Sequence, residues 1–321
     1  MKVNTNMKNA AGVFAISLAL PLIAGVNCAW AQAPDGNTTI RAKAGASEIV
    51  ITTTNRVAGA IHSLTWNGQE FIDSVDHGRQ LQSASNFDNS TRYTDETFNP
   101  TEAGSRADHV GETSSSKLLF ISAKEDVLET KSLMAFWLKP GEKSLGNEAK
   151  NTAILSNHSL HKKVTLGYKG NGHIIQYDVT FNIPADEKHT FAQFESLTGY
   201  MPPAFNRFYK YDIATHALTP ISEGPGEQSS PLILATDNGS HAMGIYAPQQ
   251  PSKGYETVGY GRWSFKPERV NKWNAVFRYG KKNADGEPVK SGDYAFRHFV
   301  LVGSLEDVTT AMKFITEDHR K

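Results

Sequence analysis

The chain has 321 residues, of which 39% are hydrophobic and 21% are charged, and this length is enough for one large domain with a substantial core. The 33 basic and 33 acidic side chains balance, which gives no electrostatic reason to bind nucleic acid or an anionic membrane, so we expect neither partner. The one cysteine excludes a disulfide within the chain.

The first residues predict a secretory signal peptide. Two lysines precede an apolar run over residues 10–26, and a small-residue cleavage pattern ends at Ala31. The run is shorter than the roughly 20 apolar residues of a spanning helix. We therefore expect a signal peptide at 1–31, a mature single domain at 32–321, and a periplasmic or extracellular location. Cys28 would leave with the signal peptide.

Alternation of apolar and polar residues dominates the rest of the chain and predicts β-strands. Asn67-Gly68 predicts a hairpin turn between strands at 60–66 and 69–72. The intervals between strands are too short for the crossover helices of a parallel sheet, so antiparallel pairing is predicted. Further strands are predicted at 47–51, 117–122, 128–138, 152–156, 163–168, 174–181, 190–198, 207–213, 231–235, 241–246, 257–265, 273–279 and 293–302.

One helix is predicted at the C-terminus, where Ser304 supplies the N-cap, Asp307 lies three residues on, and an apolar stripe follows. We expect it to pack across an open sheet face. No repeat or composition break indicates a second domain. The predicted fold class is therefore all-β, a large antiparallel β-sandwich with a short C-terminal helix. The longest irregular stretch, at 84–116, is interpreted as a functional loop.

The densest polar cluster lies at the entry of a predicted strand and contains Arg79, Gln80 and Gln82. A forked guanidinium and two amides match sugar hydroxyls and carboxylates, which makes these residues candidates for substrate binding. The alternative is an ion pair between Asp76 and Arg79, with both amides in solvent. His77 is a candidate catalytic proton carrier, because a neutral imidazole exchanges protons near neutral pH.

Two glutamates are candidate catalytic carboxylates. Glu102 lies in a turn of the long loop, near the candidate substrate-binding residue Asn99, and would act as acid or base if it returned to the sheet near His77. The alternative is a solvent-facing turn residue. Glu195 lies in a strand whose pattern indicates burial on both sides, with Tyr200 further along as a candidate sugar contact. A carboxylate in such a strand is either functional or part of a structural salt bridge.

Aromatic residues cluster late in the chain. Tyr246, Tyr260 and Trp263 are candidate sugar contacts, with Arg262 among them, because flat rings stack on the apolar faces of sugars. Core packing is the alternative for the same rings. His241, two residues beyond a predicted turn, is either a surface residue at a strand end or a catalytic acid in a pocket.

Sequence motifs for metal, phosphate or nucleophile sites are missing: there is no His-Glu-x-x-His, no cysteine pair, no Gly-Lys-Ser/Thr and no Gly-x-Ser-x-Gly. The spacing of His158 and His161 is a weak metal signal and is interpreted as a polar strand entry. We expect neither a cofactor nor a metal.

Two segments resemble the galactose mutarotase-like (supersandwich) group of carbohydrate-active β-sandwich proteins. They are Gly-Ala-Ile-x-Ser-Leu-x-Trp-Asn-Gly at 59–68 and Ala-Met-Gly-Ile-Tyr at 242–246. The resemblance implies a sugar-facing sheet and leaves the reaction open, because the group includes epimerases, hydrolases, lyase domains and non-catalytic glycan binders. Asn157-His158 resembles the Asn-His of mutarotases, but the aromatic-Asn-Leu that should follow is absent, so mutarotase activity is not implied.

The expected function is a secreted enzyme that cleaves a poly- or oligosaccharide. Two carboxylates across a glycosidic bond would make it a glycoside hydrolase. A polysaccharide lyase would instead use Arg79 or Arg262 to neutralise a uronate, and a His or Tyr to remove a proton. The alternative is a non-catalytic glycan-binding protein. In each case the expected partner is a carbohydrate.

Overall fold

The computed structural model describes Met1 and residues 33–248, 255–282 and 288–320. Residues 2–31 of the predicted signal peptide lie outside these ranges. From Ala33 onward the described chain forms one structural unit.

Antiparallel β-strands make up most of this unit, and one α-helix follows them, as the sequence predicted. The helix, α1, is Leu305–Asp318. The strands are β1 Thr38–Ala44, β2 Ser47–Thr53, β3 Ile61–Trp66, β4 Gln69–Glu70, β5 Gln82–Phe87, β6 Pro100–Thr101, β7 Lys117–Lys124, β8 Val127–Phe136, β9 Lys143–Ser144, β10 Asn147–Glu148, β11 Leu155–Tyr168, β12 Asn171–Ile183, β13 Phe191–Met201, β14 Arg207–Tyr211, β15 Leu218–Pro220, β16 Gly226–Gln228, β17 Leu232–Ala235, β18 Ala242–Tyr246, β19 Gly259–Phe265, β20 Val270–Gly280 and β21 Gly292–Gly303.

Most strands belong to one long sheet. Its order is β15-β14-β17-β18-β21-β12-β11-β8-β6-β5-β13-β20-β19-β16, and β7 pairs with β8. Strands β1 to β4 form a second sheet, whose β3–β4 hairpin contains the predicted Asn67-Gly68 turn. Strands β9 and β10 form a separate short hairpin.

Four phenylalanines show that the long sheet folds back on itself. Phe194 of β13 lies 5.2 Å from Phe181 of β12 and 5.1 Å from Phe296 of β21, measured between ring centroids. Phe277 of β20 lies 4.9 Å from Phe296. The β12–β21 half and the β13–β20 half therefore form the two layers of a sandwich, with aromatic rings interleaved between them. Each layer keeps one face toward this core.

The prediction that residues 84–116 form one irregular loop is wrong in two segments. Strand β5 continues to Phe87, and the short β6 pairs Thr101 with Ala84 on one side and with Ala135 on the other. The sequence of β5, Gln-Ser-Ala-Ser-Asn-Phe, contains little that favours a strand by itself, and its pairing with β13 holds it extended. Strand β6 links the two layers of the sandwich.

The C-terminal helix begins as the sequence predicted. The Ser304 hydroxyl accepts a hydrogen bond from the backbone N–H of Asp307 at 3.1 Å, and the Asp307 carboxylate accepts one from the backbone N–H of Ser304 at 3.0 Å. Val308, Met312 and Ile315 are buried against the outward face of β12, β18 and β21. The capping box thus starts the helix at the position where its apolar stripe meets the sheet.

Replacing the capping hydroxyl tests this arrangement. Ser304→Ala is expected to lower the free energy of unfolding by about 1 kcal/mol, because the first turn loses its side-chain acceptor. Urea unfolding measures the change. Lys313→Ala, at an exposed position of the same helix, is the control and is expected to change it by less than about 0.5 kcal/mol. Equal effects of the two substitutions would contradict the capping role.

Candidate functional site

A groove of about 570 Å³ crosses the outward face of the β13–β20 layer. It lies opposite the phenylalanine core, so the strand positions that alternate with the core residues point into it. The strand residues that line it are Gln82, Ala84 and Asn86 of β5, Thr101 of β6, Phe191, Gln193, Glu195, Thr198 and Tyr200 of β13, Glu227 of β16, Trp263 and Phe265 of β19, and Lys272, Asn274, Val276 and Arg278 of β20.

A β-bulge at Ser196 determines which side chains of β13 reach the groove. Glu195 and Leu197 pair with consecutive residues of β20, so Ser196 is the extra residue. Phe194 and Leu197 are buried in the core, while Glu195 and Thr198 line the groove. Strict alternation would have placed Glu195 and Leu197 on one face. The bulge therefore explains why the sequence pattern of this strand looked buried on both sides.

Glu195 is the central carboxylate of the groove. Its Oε2 accepts hydrogen bonds from Lys272 Nζ at 3.1 Å, Asn274 Nδ2 at 3.0 Å and Thr198 Oγ1 at 3.2 Å. Burial by itself raises the pKa of the Glu195 carboxyl, but the Lys272 ammonium and these hydrogen bonds outweigh it and hold the pKa below its usual range. All three donors contact Oε2. Within the described part of the chain, Oε1 has no protein donor.

Lys272 connects this carboxylate to two aromatic rings. Its ammonium lies 5.2 Å from the ring centroid of Tyr200 and 5.0 Å from that of Trp263. Burial lowers the pKa of Lys272, but the charge of Glu195 more than compensates, so the pKa lies above its usual value and the side chain stays charged. Cation–π attraction therefore holds both rings beside the carboxylate.

A second ion pair lies further along β20. Both terminal nitrogens of Arg278 donate to the carboxylate of Glu227, each at 2.8 Å, and its Nε donates to Gln193 Oε1 at 3.0 Å. A Cβ on Gly259 would lie 2.2 Å from Glu227 Oε1, so glycine is needed to leave room for the carboxylate. The forked geometry fixes Glu227 over the sheet.

Besides Gln193 and Asn274, three further amides line the groove. Gln82 donates to the backbone oxygen of Gly78 at 2.8 Å, and Asn99 donates to that of Ser85 at 2.5 Å. Asn86 is buried, and its Oδ1 has no partner among the described residues. A buried acceptor without a donor is unfavourable, so this amide is an incompletely satisfied polar group beneath the groove surface.

Apolar side chains surround the polar floor. Trp137, Trp263, Leu145 and Phe265 all line the groove. Leu145, in the β9–β10 turn, is 83% exposed, and Phe265 is 37% exposed. Large exposed apolar side chains beside polar ones are typical of a binding surface.

The described lining of the groove carries more negative than positive charge. Three cations and five carboxylates line it. Lys272 pairs with Glu195, Arg278 pairs with Glu227, and Lys282 lies 3.9 Å from an Asp95 oxygen. The remaining carboxylates belong to Glu96 and Glu256. The net charge disfavours a polyanionic ligand.

Five of the residues predicted from sequence come together in this groove: Glu195, Gln82, Asn99, Tyr200 and Trp263. Sequence reasoning missed the β20 residues Lys272, Asn274 and Arg278. Asn274 and Arg278 lie in the predicted strand 273–279, and Lys272 lies directly before it. Their spacing of two and four, alternating with the buried Trp273, is the signal that could have found them.

The structure does not place Glu102 in the groove. Glu102 is 1% exposed and forms an ion pair with Lys162, which is fully buried. Its other oxygen accepts a hydrogen bond from the backbone N–H of Ser83 at 3.0 Å. The alternative of a solvent-facing turn is also wrong. This carboxylate holds an interior lysine, and its placement corrects the interpretation as a catalytic group.

Neither predicted histidine lines the groove. His77 is buried, with Nδ1 2.8 Å from the backbone oxygen of His109 and Nε2 2.7 Å from that of Arg56. His241 packs against Trp66, with ring centroids 5.7 Å apart. The structure therefore does not bring either imidazole to the groove that contains Glu195.

The strand-entry cluster shows the ion pair of the alternative interpretation, but neither amide faces solvent, because Gln80 and Gln82 are both buried. Arg79 Nε lies 2.9 Å from Asp76 Oδ2, and a further nitrogen lies 3.7 Å from Asp73. Gln80 is buried and donates to Ser74 Oγ at 2.9 Å. These contacts stabilise the turn before β5. Arg79 and Gln80 do not line the groove, and their interpretation as substrate-binding residues is corrected accordingly.

Most of the late aromatic cluster belongs to the core. Tyr246 packs on Phe299 beneath the helix, and Tyr260 is 1% exposed with its hydroxyl 2.9 Å from the backbone nitrogen of Ala247. Arg262 faces away from Trp263 and donates to Gln228 Oε1 at 2.6 Å. Successive residues of β19 point to opposite faces of the sheet, so Arg262 and Trp263 lie on different sides. Of this cluster, the structure keeps Trp263 as a groove residue.

No family model and no curated protein matches the sequence. Solved structures with a similar fold include a protein in glycosyl hydrolase family 38 from Enterococcus faecalis (TM-score 0.47, 10% identity), of which this chain covers 32% and which covers 88% of this chain. A candidate aldose 1-epimerase from Klebsiella pneumoniae has a TM-score of 0.44 at 9% identity, with 89% of this chain and 92% of that one covered. A candidate mutarotase from Salmonella typhimurium has a TM-score of 0.34 at 7% identity, with 82% and 93% covered.

At these identities and TM-scores the likenesses carry no information on activity. Separately, none of the described helices is long and apolar enough to span a membrane.

The buried ion pair between Glu102 and Lys162 can be tested by substitution. Glu102→Gln is expected to lower the free energy of unfolding by about 3 kcal/mol, because it leaves the buried Lys162 charge without a counter-ion. Urea unfolding measures the loss. Glu48→Gln, in an exposed pair with Arg41, is the control, with an expected change below about 1 kcal/mol. A Glu102→Gln loss as small as that of the control would contradict the interior role.

Acid titration tests the state of Glu195. Its lowered pKa means that its charge stabilises the fold above the unfolded carboxylate pKa of about 4.3, and that this contribution is lost as the pH falls through the folded pKa. We expect the difference in free energy of unfolding between wild type and Glu195→Gln to be constant from about pH 7 to 5 and to shrink below about pH 4. Urea unfolding at a series of pH values measures it. A difference that grows on acidification would contradict the lowered pKa.

Proposed function

We propose that the protein is an exported carbohydrate-active enzyme that hydrolyses a neutral poly- or oligosaccharide bound in the groove, with Glu195 as a catalytic carboxylate. Export is proposed from the N-terminal sequence. The observation that carries the proposal is the placement of Glu195. Its Oε1 has no protein donor among the described residues and lies in a groove lined by aromatic rings and amides.

The lining matches the chemistry of a sugar chain. Sugars present apolar ring faces and equatorial hydroxyls, so a binding site needs flat apolar surfaces next to neutral hydrogen-bonding groups. Trp263 and Tyr200 supply the flat surfaces, and Gln82, Asn86 and Asn99 supply the amides. Because Lys272 orders both rings, their arrangement exists before a ligand binds.

Charge favours a neutral chain over a uronate polymer. Elimination from a uronate needs a cation to neutralise the substrate carboxylate. The described groove cations are each paired with a carboxylate, and carboxylates are in excess. Arg79 and Arg262, which a lyase was expected to use, lie outside the groove with partners of their own. Hydrolysis is therefore preferred to elimination.

The ionised state of Glu195 defines its role. A carboxyl with a lowered pKa is a poor proton donor near neutral pH, so Glu195 suits the nucleophile or base of a glycosidase rather than the general acid. Glu96 is our candidate for the acid. It lines the groove, contacts Ser144 of the β9–β10 hairpin, and has a left-handed backbone φ of 66°. Such strain in a residue other than glycine concentrates at functional sites.

One observation favours a second function, non-catalytic glycan binding. Glu195 Oε2 is fully engaged by three donors, so the carboxylate also has a structural reason to be there. In this alternative the aromatic rings and amides bind the chain, and Glu195 only positions Lys272.

Turnover separates the two functions. Purified protein is incubated with a panel of neutral and uronate polysaccharides, and reducing ends are followed together with the absorbance of unsaturated products. We expect new reducing ends from a neutral glycan without the chromophore. Glu195→Gln is expected to lower the rate by about 100-fold to 10,000-fold while glycan retention on an affinity column persists, because the amide cannot act as base or nucleophile.

Glu129→Gln is the matched control. This carboxylate is exposed and pairs with His161 at 2.7 Å, away from the groove lining, so full turnover is expected. If the wild-type protein retains a glycan but produces no new reducing ends, the result would support non-catalytic glycan binding and contradict the proposed hydrolase. Formation of the chromophore would instead support elimination.

A further inference from the structure

Two buried histidines and a glutamate converge outside the groove. His158 of β11 and His189, just before β13, both direct Nε2 at the same oxygen of Glu187. The distances to Glu187 Oε2 are 2.7 Å from His158 and 3.0 Å from His189. One donor atom from each residue lies within 4.8 Å of the other two, and this is the one cluster of this kind in the part of the chain that the structure describes.

Aromatic packing fixes both imidazoles. The ring centroid of Phe87 lies 5.0 Å from that of His158 and 4.6 Å from that of His189, and the second pair is stacked. Phe98 contacts both imidazoles as well. Each histidine is 2% exposed. This packing restricts the orientation of both rings and keeps each Nε2 directed at Glu187 Oε2, which is the preorganisation that a metal site requires.

An outer carboxylate supports His189. Its Nδ1 lies 3.5 Å from Asp88 Oδ1, on the opposite side of the ring from Glu187. Asp88 is itself held by Thr190, whose hydroxyl donates to Oδ2 at 2.6 Å and whose backbone N–H donates to the same oxygen at 3.0 Å. His189 Nδ1 makes no hydrogen bond within the described residues, so Asp88 is placed behind the imidazole at ion-pair distance only. A small approach of the two groups would give the carboxylate–histidine arrangement that supports a metal-binding histidine.

We propose that His158, Glu187 and His189 bind one divalent transition-metal ion of the Zn²⁺ type. Two neutral imidazole nitrogens and one carboxylate oxygen are ligands that suit Zn²⁺ and not Mg²⁺ or Ca²⁺. Ligand atoms about 2.0–2.1 Å from a tetrahedral ion lie about 3.3 Å apart, so the observed spacing needs only a small adjustment to admit one. This inference replaces the expectation of no metal and does not depend on the proposed hydrolase.

Access and position support the same site. The Glu187 side chain is 19% exposed and, with His189 and Asp88, lines a surface cavity, so an ion can enter from solvent. The alternative is a purely structural cluster, in which the Glu187 carboxylate only accepts hydrogen bonds from His158 and His189. Under our proposal the ion ties β11 to the segment that leads into β13, so its binding stabilises the fold.

Metal titration of the purified full chain tests the proposal. Protein stripped with a chelator and dialysed is titrated with Zn²⁺ alone by calorimetry, and with Co²⁺ alone by visible absorption. We expect one equivalent per chain, a Co²⁺ spectrum of a four- or five-coordinate site with nitrogen ligands, and a rise in Tm of about 5 °C at Zn²⁺ a hundredfold above its Kd.

Glu187→Gln and His189→Ala are expected to lose this equivalent. His161→Ala is the matched control, because His161 contacts Glu129 at the same 2.7 Å distance but is exposed, and it is expected to keep the equivalent. Circular dichroism checks that each variant folds, and the wild-type Co²⁺ spectrum decides the case if a variant does not. Lack of stoichiometric binding by wild type, binding unchanged in Glu187→Gln, or loss in His161→Ala alone would overturn the proposal.

Discussion

The interleaved phenylalanines between the two layers of the sandwich are the constraint on which the rest of the structure depends. Because Phe194 and Phe277 must face Phe296 across the core, the residues beside them on β13 and β20 must face outward. A strand shows its residues alternately to two faces, so every large side chain that fixes the core also fixes the direction of a polar neighbour. The groove is therefore a consequence of core packing, and a shift of one residue in register would exchange the two faces.

The charged side chains on that outward face restrict one another's conformations. Lys272 is held by Glu195 and by two rings, and Arg278 is held by the fork on Glu227. Each charge is desolvated in part, and each is compensated by a partner of opposite sign, which is the condition for keeping an ionised carboxylate in a half-enclosed site. A ligand that meets this surface finds charges already oriented and need not order them. Neutral ligands benefit most, because they leave the existing pairs intact.

Sequence patterns predicted the antiparallel fold, the hairpin at Asn67-Gly68 and the capped C-terminal helix, because each depends on residues close together in the chain. Glu195 could be singled out for the same reason, since its neighbours along the strand made an unpaired carboxylate untenable. Its partner Lys272 could not be identified, because the pairing of β13 with β20 joins segments far apart in sequence. The bulge that directs Glu195 outward is likewise visible only once the register is known. Glu102 was misplaced because nothing local shows that its loop runs through the interior.

Two glutamate–lysine pairs in the same molecule differ in their solvent access and in how their carboxylate oxygens are hydrogen-bonded. Glu102 and Lys162 are enclosed, with side-chain exposures of 2% and 0%, and such a pair costs several kcal/mol to desolvate and returns that energy only while both partners stay together. Glu195 and Lys272 are 24% and 13% exposed. Each interior oxygen of Glu102 has its own partner, whereas the donors to Glu195 all share one oxygen. The side chains are chemically the same, so residue type alone assigns neither role. Solvent access and the oxygen without a protein donor are the two features that distinguish Glu195 from Glu102, and the proposed catalytic role rests on them.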